Sequence, residues 1–110
     1  MKIESTIPFG ITNWESLAEE KHPGISGHAI WKTVQLGEIR IRMVEYSGNY
    51  FADHWCDKGH VIYCISGEMT TELKDGQRFT LKEGMSYQVG DNSDSHRSWS
   101  ENGVKLFIVD

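Results

Sequence analysis

Cysteine is scarce in this chain: two residues in 110, too few for a disulfide scaffold. Long apolar runs are missing as well. None approaches the about 18 residues that a membrane-spanning helix requires. Basic residues are outnumbered, 11 against 16 acidic ones, and the net charge is −5. The lysines and arginines are scattered with no basic stripe, which argues against a nucleic-acid partner. There is no repeat unit and no low-complexity tract. A GxSxG elbow, a P-loop and a GxGxxG fingerprint are all absent, so nothing supports a serine hydrolase, an NTPase or a dinucleotide-binding enzyme. The opening Met1-Lys2-Ile3-Glu4-Ser5-Thr6-Ile7-Pro8 lacks the apolar core of a signal peptide. The expectation is a cytoplasmic protein with reduced thiols and no membrane partner.

What is present is one domain's worth of chain, enough for a single core. Residues 1–24 read as an N-terminal extension with a short helix from Thr12 to Lys21. Thr12 or Asn13 caps it, Trp14, Leu17 and Ala18 form its apolar stripe, and His22-Pro23-Gly24 stops it. Residues 25–110 read as short strands separated by turn signals. Ile25 to Val34 is β-compatible. Ile39, Ile41 and Met43 then alternate with Arg40, Arg42 and Val44, the period of a strand. Candidate strands follow at Tyr50–Cys56, Val61–Ile65 and Glu68–Lys74. Asp75-Gly76 is a two-residue hairpin signal, with Gln77–Leu81 as its return strand. Met85–Val89, His96–Ser100 and Val104–Asp110 complete the series, and the polar run 90–95 is a loop. Many short strands and almost no helix predict an all-β sandwich or barrel.

Four side chains form a ligand-like pattern: His54, Cys56, His60 and His96. If Tyr50–Cys56 is a strand, His54 and Cys56 share a face. Asp57-Lys58-Gly59 supplies a turn that returns His60 beside them, and His96 opens a later strand. Imidazole and thiolate suit a borderline or soft transition metal. Spacing alone also admits a small core cysteine with hydrogen-bonded surface histidines.

The glycines around these residues extend the pattern. Gly48-x5-His54-x-Cys56-x3-His60-x6-Gly67 resembles the first cupin motif, with every spacing kept, Cys56 at a usual histidine and His60 at the usual glutamate. The second cupin motif is matched more loosely. Gly84 fits, Gly90 and Asn92 stand at the proline and glycine positions, His96 falls one residue late, and Ser100 replaces the asparagine. Asp53-His54-Trp55-Cys56 is similar to the signature of the DHCW-motif cupin-fold group. The resemblance covers residues 37–110. It implies a double-stranded β-helix, or jelly-roll barrel, with a metal inside and commonly a homodimer.

A divalent transition metal is therefore the expected cofactor. Zinc accepts this donor set most readily, with iron or nickel as alternatives, and four protein donors on tetrahedral zinc would make a closed site. The expected function is a small metal-binding cupin that binds or transforms a small organic molecule. Dioxygenation, isomerisation and decarboxylation are the reaction classes of the fold, and a structural zinc or ligand-sensing module is the rival. Arg40 and Arg42 share a strand face and could hold an anion. Since Ile39, Ile41 and Met43 make the better core face, the arginines are expected in solvent. Tyr87 is assigned to the core, with the cavity wall as its alternative, and Cys64 to the core. Trp55 and Trp99 are expected to face outward, under the N-terminal segment or in a dimer interface.

Overall fold

The computed structural model describes residues 2–110. Nine antiparallel strands curl into a jelly-roll half-barrel: β1 (Glu20–Pro23), β2 (His28–Leu36), β3 (Ile39–Tyr46), β4 (Tyr50–Phe51), β5 (His60–Leu73), β6 (Arg78–Lys82), β7 (Ser86–Val89), β8 (His96–Ser100) and β9 (Val104–Val109). The strand order is β1-β2-β3-β9-β5-β8-β4, with β6 and β7 also paired to β5. Among the described residues no helix is long and apolar enough to cross a membrane.

β5 joins the two halves. Its first part lies between β7 and β9, and its second between β6 and β8. The register slips between Cys64 and Ser66. Such a bulge changes which parity faces inward. Ile62 and Cys64 are buried before it, Met69 and Thr71 after it. Gly67, just past the bulge, has φ +79°, and a Cβ there would meet the Gly103 carbonyl oxygen at 2.4 Å. Glycine is the residue that tolerates both constraints. The core is Val44, Ile62, Cys64, Met69, Leu81, Val104, Leu106 and Ile108, with Trp31, Tyr46 and Tyr87 packed against it.

Three sequence expectations are corrected here. The N-terminal helix is only a 3-10 turn, Trp14–Ser16, capped by the Asn13 side chain on the Glu15 amide. The last two residues of the expected helix, Glu20 and Lys21, together with the expected stop residues His22 and Pro23, instead form β1, paired with Trp31 to His28. A ten-residue helix is marginal by itself, so the open edge of β2 wins, and Pro23 is tolerated on an edge strand. Secondly, Tyr50–Cys56 is a strand only at Tyr50–Phe51. Thirdly, Arg40 and Arg42 are not on the solvent face. Arg42 is 5% exposed, because β3 pairs Val44 with Leu106 and Arg42 with Ile108, both inward residues of β9. Ile39 is buried, while Ile41 and Met43 are half-buried on the opposite face. That outer face is not left to water: Trp14 packs edge-on to Phe107, the partner of Met43, with ring centroids 6.1 Å apart.

Candidate metal centre

Cys56, His60 and His96 converge. One potential ligand atom from each lies within 4.8 Å of the other two. Each is delivered by a different device. His96 begins β8 and is almost fully buried. Cys56 sits in the irregular segment after β4 but is locked opposite His96 by two backbone bonds: the Cys56 amide donates to the His96 carbonyl at 2.7 Å, and the His96 amide to the Cys56 carbonyl at 3.0 Å. His60 is the first residue of β5, inward by the same parity as Ile62. The turn before it is cinched by Asp91, whose carboxylate accepts the Gly59 amide at 2.7 Å. A Cβ on Gly59 would meet the Asp91 nitrogen at 2.5 Å, so glycine permits this approach.

Second partners fix the imidazoles. His96 Nδ1 lies 2.8 Å from the Asp94 carbonyl oxygen, which can only accept, so Nδ1 carries the hydrogen. His60 Nδ1 faces Asp110 Oδ2 at 3.4 Å, a weaker version of the same arrangement. Both Nε2 lone pairs therefore point inward, and the two Nε2 atoms stand 2.8 Å apart. Two lone pairs at that distance repel unless a proton or a metal ion lies between them. Metal-bound histidines are held in this way, with the far nitrogen on a carbonyl or carboxylate. The Cys56 thiol is held below its usual pKa, chiefly by the facing His96 ring and against the effect of burial. His96 is raised in turn, chiefly by Cys56. A cysteine sulfur whose ionisation is eased, beside two oriented imidazoles, is a donor set that fits a borderline transition metal.

His54 is placed differently from the other three. Its segment is not a strand, so the shared-face argument with Cys56 does not operate. Its side chain is 74% exposed and its Nδ1 lies 2.6 Å from Asp53 Oδ1. It lines the same cavity but stands outside the three-residue cluster. Both cysteines are free thiols. Cys64 is in the core and fully buried, as expected.

The cluster opens onto a cavity of about 340 Å³. Its aromatic wall is Trp31, Tyr46, Tyr50, Trp55 and Tyr87. Tyr87 thus meets both expectations, packing on the core and facing the cavity. Burial pushes its phenol up to about 12, so it keeps its proton at neutral pH. Trp55 does not face outward under the N-terminal segment as expected: it lines the cavity, and its ring is covered by Lys74 at 4.2 Å and Arg97 at 4.5 Å. Trp99 stacks on Phe51 with centroids 5.2 Å apart.

Asp110 is the residue that sequence reasoning missed. It accepts from Arg40 Nε at 2.9 Å and Nη2 at 3.1 Å, and from Arg42 Nη2 at 2.7 Å. Its side chain is fully buried. Burial opposes its ionisation, but His60, Arg40 and Arg42 together hold its carboxyl well below the usual carboxylate range. One carboxylate thus links the two arginines to a histidine of the cluster. No local motif marks it, because its partners lie 50 to 70 residues away.

No family model matches the chain. No curated protein matches it either. Solved structures do. A protein from Neisseria meningitidis is 28% identical, with 73% of this chain and 80% of that one covered and a TM-score of 0.59. An RmlC-like cupin from Shewanella frigidimarina is 19% identical over 99% of this chain and 92% of that one, at a TM-score of 0.66. A predicted oxalate decarboxylase from Thermotoga maritima is 12% identical over 91% and 96%, at a TM-score of 0.76.

Proposed function

This chain is a small protein of the cupin fold, and on that premise we propose that it holds a divalent transition metal at Cys56, His60 and His96 and binds or transforms a small organic molecule in the cavity beside it. The observation that carries the proposal is the 2.8 Å approach of two Nε2 atoms whose Nδ1 partners turn both lone pairs inward. Zinc is the first choice for a thiolate and two imidazoles, with iron or nickel as alternatives. Lewis acidity at a substrate oxygen is the chemistry such an ion supplies when bound. The chain's own residues do the rest. Asp94 and Asp110 orient the two rings, Tyr87 offers a protonated hydroxyl to the cavity, and the aromatic wall excludes water from one side.

Three donors leave a coordination position for a ligand, as in catalytic rather than structural sites. His54 is the fourth donor of the expected set, and its contribution decides between an open and a closed centre. The test is metal content, by mass spectrometry, of protein purified without a histidine tag. His60→Ala and His96→Ala lose the metal. His54→Ala retains it if the centre is open and loses it if the centre is closed and structural. Wild type without a stoichiometric metal, prepared in medium supplemented with zinc, iron and nickel, overturns the proposal.

A further inference from the structure

We propose that the Arg42 corner of the cavity binds the carboxylate of a small organic acid whose apolar body lies against the tyrosine wall. The proposal rests on the cavity reading above and names the class of molecule it takes.

The first observation is an unsatisfied donor. Arg42 is 5% exposed, and its Nε has no hydrogen-bond partner. One bond from its guanidinium, Nη2 to Asp110 at 2.7 Å, holds it in place. A buried donor left unpaired is costly, and a guanidinium is shaped to give two parallel bonds to a carboxylate.

The second observation is a charge imbalance. Two guanidiniums, Arg40 and Arg42, share the single carboxylate of Asp110. His60, the other group on Asp110, brings no negative charge. The Trp31 ring lies 4.4 Å from Arg42 and 5.5 Å from Arg40, offering a π face but no net charge. Of the other charged side chains that line the cavity, Arg97 pairs with Glu72 at 2.9 Å, and Asp57 and Lys58 bring one charge of each sign. Among side chains, two guanidiniums thus face one carboxylate, which makes this corner a cationic part of the cavity wall.

The surroundings favour a carboxylate that carries an apolar body over a phosphate dianion. Tyr46 and Tyr50 stack with centroids 4.2 Å apart, and Tyr87 stands across the cavity. At about 340 Å³ the space is near the lower end of ligand pockets. A one-ring acid is of that scale.

The test uses metal-stripped, full-length protein and isothermal titration with benzoate, benzamide and inorganic phosphate at neutral pH. Benzoate is expected to bind about tenfold or more tighter than its uncharged isostere benzamide, and tighter than phosphate. Arg42→Lys keeps a cation for Asp110 but loses the fork, and is expected to weaken benzoate about tenfold while leaving benzamide unchanged. Benzoate binding no better than benzamide overturns the proposal. So does phosphate binding more tightly than benzoate, or a folded Arg42→Lys that binds benzoate as wild type does. If Arg42→Lys does not fold, the wild-type ratio alone decides. Metal content is read on the same protein before stripping. Metal without a benzoate preference refutes this inference alone, and a benzoate preference in protein that takes up no metal refutes the metal centre alone.

Discussion

Replacing Asp110 by Asn removes one charge from a buried cluster and changes little else in shape. The side chain is fully buried and accepts three hydrogen bonds from Arg40 and Arg42, at 2.7 to 3.1 Å. Asparagine keeps one acceptor oxygen but leaves both guanidiniums without the side-chain carboxylate they share. Removing one partner of a buried pair costs about 3–5 kcal/mol. Arg40 is 27% exposed and recovers part of its hydration, so the low end applies, about 3 kcal/mol. That is a large share of the about 5–15 kcal/mol of a typical domain. It lowers Tm by roughly 10–20 °C for a chain of this size. The pH dependence has a definite sign. Asp110 has a depressed folded pKa, so its contribution is full above the unfolded value of about 4 and is lost as pH falls through the folded value. Thermal melts of wild type and Asp110→Asn should therefore differ most near neutral pH and converge below about pH 4. A variant melting within about 3 °C of wild type at pH 7 would refute the claim that Asp110 holds this corner together.

Cys56→Ser should lose metal with little loss of stability. Cys64→Ser should keep metal and lose about 1–2 kcal/mol by placing a hydroxyl in the core; metal analysis and melts on both check the order. Gly59→Ala should displace the turn against the Asp91 backbone, costing about 1–3 kcal/mol and weakening metal retention through His60, both read on one purified sample. A homodimer is expected, because a lone jelly roll leaves sheet edges to cover; a clean monomer of about 12–13 kDa by sedimentation at micromolar concentration would contradict it.

Features written in adjacent residues were legible before the structure. The place of the Asp75-Gly76 turn, which closes through a three-residue Lys74-Asp75-Gly76 loop with Gly76 at φ +93° rather than the expected two-residue one, the polar loop before His96, the strand His96–Ser100 and the buried Cys64 all depend on local chemistry. The spacing from Gly48 to Gly67 located three of the residues that converge on the site or line its cavity. What was not legible depends on partners far along the chain. Arg40 and Arg42 turn inward because β9 pairs with β3, and no window of sequence around the arginines contains β9. The alternation of Ile39, Ile41 and Met43 named an apolar face correctly, but the face is covered by the N-terminal segment rather than forming the barrel interior. Cys56 reaches the site through a two-bond bridge to His96, not through strand parity, so His54 does not follow it inward. The fusion of two expected strands into β5 needed a bulge at Cys64 to Ser66 that only the pairing with β9 reveals.

The central claim is that Cys56, His60 and His96 form a metal-binding set. X-ray absorption on wild-type protein, purified untagged and loaded with zinc, tests it most directly. The account predicts one sulfur and at least two imidazole nitrogens around the ion, at about 2.3 Å and 2.0–2.1 Å. A zinc shell with no sulfur, or with oxygen and nitrogen only, would contradict it.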